Sequence, residues 1–296
     1  MSLMTIIKEF SLKKDPLFSI VIPTYERPLN LRKCLESLDH SFQASLSKYE
    51  IIVSDDSKSS YSKELVENEY PIVLWGEGKK IGPAGNRNAG VERANGDWII
   101  FIDDDCIADK DYLNSYYRAI RYNPDIILFE GLIYPDRPRQ TWAECCPENS
   151  RGGMYWTSNL CVKKTVFEEH GGFDEKFKVA YEDIDFAYRI KKNGHKTKFV
   201  KEASVCHPWR TLKNMGNNWK PNGFEKNELK LFIQKHPNAT EHSSPTIYFR
   251  HLIRMLSSDL VKCLLKYKGN GFCILISQII ATLSVIKLTT IMRFKS

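Results

Sequence analysis

Five consecutive apolar residues, Trp98-Ile99-Ile100-Phe101-Ile102, run straight into Asp103-Asp104-Asp105. An uninterrupted apolar run of this length fits a strand buried on both faces, as in a parallel sheet covered by helices. Three adjacent carboxylates repel one another unless a cation sits among them. Open α/β sheets place ligands beyond the C-terminal ends of their strands, so a divalent metal is one candidate for that cation. The plain alternative is an acidic turn in which Asp103 or Asp105 caps the next helix. If the chain stays extended past Ile102, Asp103 and Asp105 project to one side and Asp104 to the other, which makes Asp104 a spacer.

The residues before this run alternate between strand and helix patterns. Phe18–Ile22, Glu50–Val53 and Pro71–Trp75 read as strands, and 29–38, 61–68 and 84–94 read as helices. Such alternation predicts parallel strands joined by right-handed crossovers, with helices on both faces. The loops Pro23-Thr24-Tyr25-Glu26, Asp55-Asp56 and Asp103-Asp104-Asp105 then lie on one edge of the sheet. No GxGxxG follows the first strand, which weighs against a dinucleotide-dependent dehydrogenase. Further on, 111–122 reads as a helix, 125–130 as a strand, 131–156 as a long irregular loop, and 181–193 as a helix with acidic residues in its first turn.

Charge separates the end of the chain from its body. Residues 211–296 hold 13 Lys/Arg against 4 Asp/Glu, a net +9, and the first 210 residues sum to −2. A near-neutral body argues against a nucleic-acid groove, whereas a basic tail points to a localised anionic partner such as a phospholipid surface. Residues 247–268 have the pattern of an amphipathic helix with a basic face. The apolar run 272–286, about 15 residues before Lys287, is shorter than the roughly 20 needed to span a bilayer. Two core helices packed on the domain, or an interfacial anchor, both fit. Eight scattered cysteines without a CxxC pair, and no apolar leader at the N-terminus, lead to the expectation of a cytoplasmic protein with reduced thiols. Residues 1–3 read as a cloning remnant.

Several stretches, taken in order, resemble glycosyltransferase family 2. They are Ser19-Ile20-Val21-Ile22-Pro23-Thr24-Tyr25-Glu26-Arg27, then Ile51-Ile52-Val53-Ser54-Asp55-Asp56-Ser57, then Gly82 to Gly90, then Phe101 to Asp105, then Gly171-Gly172-Phe173-Asp174-Glu175 and Glu182-Asp183. The resemblance covers residues 17–210. It implies an α/β, Rossmann-like GT-A fold with a mixed, mainly parallel sheet flanked by helices. A 1–16 extension and a basic, mainly helical segment 211–296 lie outside it.

The resemblance also implies roles. Pro23, Thr24 and Glu26 line a nucleotide pocket, Asp55 or Asp56 accepts from the base, and Asp103 accepts from the ribose. Asp105 holds Mn²⁺ or Mg²⁺, and His207 is a candidate further ligand whose nitrogen favours Mn²⁺; a structural histidine is the alternative. Arg87 either faces the donor diphosphate or braces the sheet, and bracing is favoured. Asp183 is the expected base, Glu182 orients the acceptor, and Asp185 is the competing base. The bland reading of these acids is stabilisation of the helix dipole, worth about 0.3–1 kcal/mol. Trp156 and Asn159 are assigned to the acceptor side.

The expected activity is metal-dependent, inverting transfer of a sugar from a nucleotide diphosphate, with UDP as first choice. The acceptor is a hydroxyl of a glycan or lipid-linked glycan at the inner face of the membrane, in cell-surface polysaccharide or glycolipid synthesis. Two alternatives remain: a sugar nucleotidyltransferase, disfavoured because loop 23–28 lacks glycine, and a non-catalytic carbohydrate- or membrane-binding module.

Overall fold

The computed structural model describes residues 18–43, 49–211, 224–239 and 244–294, so the expected 1–16 extension lies outside the described residues. Strands β1 (Phe18–Thr24), β2 (Tyr49–Asp55), β3 (Leu74–Glu77) and β4 (Trp98–Ile102) alternate with helices α1 (Pro28–Ser37), α2 (Tyr61–Glu69) and α3 (Pro83–Glu92). Their order in the sheet is β3-β2-β1-β4, all parallel, with Ile20 opposite Ile51 and Ile100.

Beyond β4 the sheet changes character. Strands β5 (Ile107–Ala108), β6 (Ile126–Pro135), β8 (Asn159–Lys163) and β9 (Lys196–His207) extend it in the order β4-β8-β6-β9-β5. Strand β8 is antiparallel to both neighbours, β4 and β6, whereas β6 and β9 are parallel. Strand β9 runs unbroken from Lys196 to His207, its pairing register with β6 shifted between Gly131 and Leu132. Part of the stretch expected as irregular, 131–135, belongs to β6. A second, two-stranded sheet pairs β7 (Glu144–Cys145) with β10 (Arg210–Thr211).

Alternation along the strands divides the core. Ile20, Ile22, Ile100 and Ile102 face Leu31 and Leu35 of α1 and Tyr112 and Tyr116 of α4 (Tyr112–Tyr122). Val21, Ile99 and Phe101 face Ala84 and Val91 of α3, Phe167 of α5 (Lys164–Glu169), and Phe186 and Ile190 of α6 (Glu182–Lys192). Both faces of β4 are thus buried, as its continuous apolar run requires.

Three helices follow β10. Helix α7 (Phe224–Lys235) sets Phe232 against Phe177, Tyr181 and Tyr188 beside α6. Helix α8 (Pro245–Arg254) continues through π-turns over Met255–Asp259 and Lys262–Lys266. Helix α9 (Phe272–Phe294) packs back on α8. The expected apolar run ending at 286 is longer in the fold: Phe272–Met292 is long and apolar enough to cross a membrane by length and composition, and little of it is buried. A single Lys287 does not end a helix that lacks any other charge between Phe272 and Met292.

Candidate active site

The C-terminal ends of β1, β2 and β4 converge on a cavity of about 620 Å³, within the usual range for small-molecule sites. Pro23, Thr24, Asp56, Arg87, Asp103 and Glu182 line it, together with Tyr25, Arg27, Asp104 and Arg210. Gly82 makes the cavity wall possible. Its φ is +111°, and a Cβ there would stand 2.5 Å from the Lys178 carbonyl oxygen, so only glycine lets the α3 entry meet segment 178–179.

The aspartate triplet is not extended. The Cys106 amide donates to the Asp103 carbonyl at 3.0 Å, closing a turn, so the expected alternation about Asp104 fails. Asp103 turns towards Arg87 Nη2 (2.8 Å) and the Ser158 hydroxyl (2.6 Å). Asp104, expected to be a spacer, lines the cavity. It accepts from Thr24 Oγ1 at 2.8 Å and pairs with Arg27 at 3.1 Å. Asp105 Oδ2 is held by Arg210, with Nε at 2.9 Å, and by Arg27 at 3.5 Å. Burial opposes ionisation of Asp103, but the Arg87 guanidinium and the Ser158 hydroxyl outweigh it and hold the carboxyl down at about 2. Burial pushes Asp104 up to about 6, with Arg27 opposing and Asp105 adding to the rise.

Asp183 sits in the first turn of α6, and Tyr181, in the left-handed conformation at φ +75°, sets where that helix starts. Its Oδ1 accepts from the Ile184 amide at 2.8 Å and its Oδ2 from the Thr157 amide at 3.4 Å. Among the described residues no cation pairs with it directly. Burial and then the neighbouring Glu182 charge push Asp183 up to about 7, and Arg87 offsets only part of this. Glu182 lines the cavity and pairs with Arg87 Nη1 at 2.8 Å. Arg87 thus bridges Asp103 and Glu182 while it also lines the cavity. Asp185, the expected competing base, is fully buried and engaged by Lys235 (2.6 Å), His236 (2.8 Å) and Arg189 (2.8 Å).

Other expected contacts separate. Asp55 is buried, its oxygens bonded to the Ser57 amide (2.8 Å) and to Trp75 Nε1 (3.2 Å), whereas Asp56 lines the cavity. Glu26 is exposed at φ +55° and accepts from the Lys58 and Ser59 amides, so it clamps the loop after β2 and does not line the cavity. Asn159, expected on the acceptor side, is a core residue only 1% exposed. Its amide joins the Tyr112 and Tyr116 hydroxyls (3.0 and 2.6 Å) to the Leu132 and Ala203 carbonyls (both 2.9 Å). Trp156, also expected there, is half-buried against the same core. The physical reason is β8, which begins at Asn159 and turns its side chain into the gap beside Gly131.

Among the described residues, one group has ligand atoms close enough together to hold a metal ion. Asp105 Oδ1 and His207 Nε2 are buried, 3.4 Å apart, and without a hydrogen-bond partner among the described residues. His207 Nδ1 lies 2.8 Å from the Pro208 carbonyl, which leaves Nε2 as the open ligand atom. Cys106 completes the group, but burial pushes its thiol well above the usual range, and a neutral thiol is a poor ligand for a hard cation.

The family model for glycosyl transferase family 2 matches residues 19–172, more than half of the chain and all of this site's first half. The chain belongs to glycosyl transferase family 2. A second model, glycosyl transferase family group 2, matches residues 98–248. An uncharacterized glycosyltransferase of Haemophilus influenzae is 29% identical over 190 residues, covering 59% of this chain and 62% of that protein. Glycosyltransferase AglE of Haloferax volcanii is 25% identical over 211 residues, 66% of this chain and 68% of the other. The chain thus spans about two thirds of the length of these relatives. The crystal structure of Staphylococcus aureus TarS 1-349 in complex with UDP superposes with a TM-score of 0.53 at 19% identity, covering 86% of this chain and 74% of that 1-349 chain. The family 2 chain has the GT-A fold that the sequence led us to expect. Arg27, Ser158 and Arg210 were not singled out from sequence, although Arg27 ends the first motif and Arg210 stands three residues after His207.

Proposed function

We propose that this family 2 member is an inverting glycosyltransferase that uses a UDP-sugar and a divalent cation. The observation that carries the reading is the bridge that Arg87 makes between Asp103, held ionised on the donor side, and Glu182, beside which Asp183 stands with its proton affinity raised to about 7. The UDP in the TarS complex supports the choice of nucleotide. Asp56 meets the base, Asp103 the ribose, and Arg27 and Arg210 face the diphosphate from the cavity wall. A divalent cation held by Asp105 and His207 would neutralise charge on the leaving diphosphate as a Lewis acid.

Asp183 takes the proton of the acceptor hydroxyl as its oxygen bonds to the anomeric carbon. The bond from that carbon to the phosphate oxygen breaks, its electron pair leaves with the diphosphate, and the configuration inverts. Glu182 and Asp185, the other carboxylates of the same helical turn, are both committed to cations, which favours direct displacement over a covalent intermediate on either.

A lipid-linked glycan is the proposed acceptor. A Campylobacter jejuni relative, 35% identical over 95 residues and 30% of each chain, is named GalNAc(5)-diNAcBac-PP-undecaprenol beta-1,3-glucosyltransferase. The α8–α9 hairpin exposes apolar side chains, which supports peripheral attachment to the inner membrane face. Release of UDP from a panel of UDP-sugars, with Mn²⁺ and then with excess chelator, tests the reading. Release should require the metal; full activity in chelator overturns the cation role, and no release from any UDP-sugar overturns the donor.

A further inference from the structure

A second cavity, of about 800 Å³, lies between the loop 139–148 and the inner faces of α8 and α9. The turn of the hairpin is fixed to that loop. Gly271, at φ +90°, passes so close that a Cβ would stand 2.6 Å from the Ala143 amide nitrogen. The Trp142 amide donates to the Asn270 carbonyl at 3.1 Å and its indole to Gln278 Oε1 at 2.9 Å. Met255, Cys263, Tyr267 and Leu275 pack beneath Trp142.

Cations dominate the cavity wall. Arg139, Arg254, Lys262 and Lys266 face it, against Glu148 and Asp259. Asp259 is already paired with Arg254 at 3.4 Å. Arg139 is fixed by the carbonyls of Thr141 (3.0 Å), Trp142 (2.7 Å) and Glu144 (2.7 Å), and its guanidinium lies 4.4 Å over the Trp142 ring. The Lys262 ammonium has no partner among the described residues, and that of Lys266 has only the Tyr267 ring at 5.3 Å. Cations held together without matching acids fit an anion.

The opposite side of the hairpin is apolar and open. Phe249, Ile253 and Leu256 of the α8 continuation are 52–55% exposed, and Ile280 and Leu283 of α9 are 54% and 50% exposed. Laid on a bilayer, such a face sinks roughly 5–10 Å into the boundary between headgroups and acyl chains. A helix is about 10 Å across, so its other face then lies level with the headgroup phosphates. That is the face bearing Arg254, Lys262 and Lys266.

We propose that this cavity binds the phosphate group of a membrane lipid, a monoester or diphosphate, and not merely anionic surface charge. The inference rests on the proposed membrane attachment and adds to it a defined site. The same loop reaches the first cavity, because its strand β7 pairs with β10, where Arg210 holds Asp105. A lipid phosphate seated here would place the glycan it carries on the side of the molecule that leads to the donor.

The test is flotation of the full chain with three vesicles: phosphatidylcholine alone, and the same lipid with either phosphatidic acid or phosphatidylglycerol at matched charge. The wild type should bind the phosphatidic acid vesicles on the order of tenfold more tightly than those with phosphatidylglycerol. The double variant Lys262→Gln, Lys266→Gln should lose that preference while still binding phosphatidylcholine and melting as the wild type does. Equal binding to both anionic vesicles, or a preference that survives in the double variant, overturns the site and leaves membrane attachment standing. Absence of binding to any vesicle overturns attachment itself. Inorganic pyrophosphate bound only by the wild type, in that case, would reassign the cavity to a soluble phosphate.

Discussion

Asp103, Asp104 and Asp105 share their turn with three guanidiniums, those of Arg27, Arg87 and Arg210, whereas Asp183 meets only two backbone amides. Asp104, Asp105 and Asp183 are buried, and Asp103 is partly so. Burial, with the neighbouring Glu182 charge, raises Asp183 to about 7. At Asp103 the nearby guanidinium reverses the sign and the carboxyl falls to about 2. One group is therefore held ionised, suited to accepting hydrogen bonds from a donor. The other hovers near neutrality, suited to taking and releasing a proton. Cations placed by distant parts of the chain make the difference.

The largest effect that sharpens this contrast is expected from Asp183→Asn. Transfer should fall about 10²–10⁴-fold while UDP affinity, measured by calorimetry, stays unchanged. Normal turnover would mean that the base lies elsewhere.

Arg87→Met attacks the bridge between the two groups, leaving Asp103 and Glu182 buried without their shared cation. A loss of about 3–5 kcal/mol in folding stability is expected from the denaturant midpoint. A loss below 1 kcal/mol would show that the bridge is not what orders the site. Asn159→Ala should be milder, about 1–3 kcal/mol, because it strands the Tyr112 and Tyr116 hydroxyls and two carbonyls in the core. Its KM for the acceptor should not move; a selective rise in KM would return Asn159 to the acceptor side.

The gentlest probe is pH. Transfer should climb as pH rises through about 7, because Asp183 must lose its proton to act as base, and Asp103 is ionised throughout. For stability the sign is opposite. The Asp183 carboxyl of the unfolded chain ionises near its ordinary value while the folded one keeps its proton. The Asp183 contribution therefore declines from about pH 4 upward and levels off above about 7. A transfer rate flat from pH 6 to 8 would break the contrast between the two acidic stretches.

Much of this was legible in the residues. Strands β1, β2 and β4 announce themselves because a parallel strand buried on both faces must be continuously apolar, and each ends in a polar loop on one edge; β3, expected at Pro71–Trp75, is largely exposed and lies at Leu74–Glu77. The antiparallel insertion of β8 between β4 and β6 was not legible, since a buried strand reads the same in either direction. With β8 unplaced, Trp156 and Asn159 were assigned to a loop. The structure instead gives the outward positions to Thr157 and Ser158, which hold Asp183 and Asp103. Asp185 stood as the competing base for a similar reason. Only the end of α7, some 50 residues away, brings up Lys235 and the following His236 that hold it.

By itself the sequence determined the sheet's parallel half, the edge on which its loops gather, and the residue types able to bind a nucleotide sugar. These follow from local periodicity and from the chemistry of individual side chains. Tertiary structure decided which of the acids is ionised, which is a proton acceptor and which is merely structural. The ionisation of a buried carboxyl depends on charges within a few ångströms, and folding alone brings Arg27, Arg87, Arg210 and Lys235 to those distances.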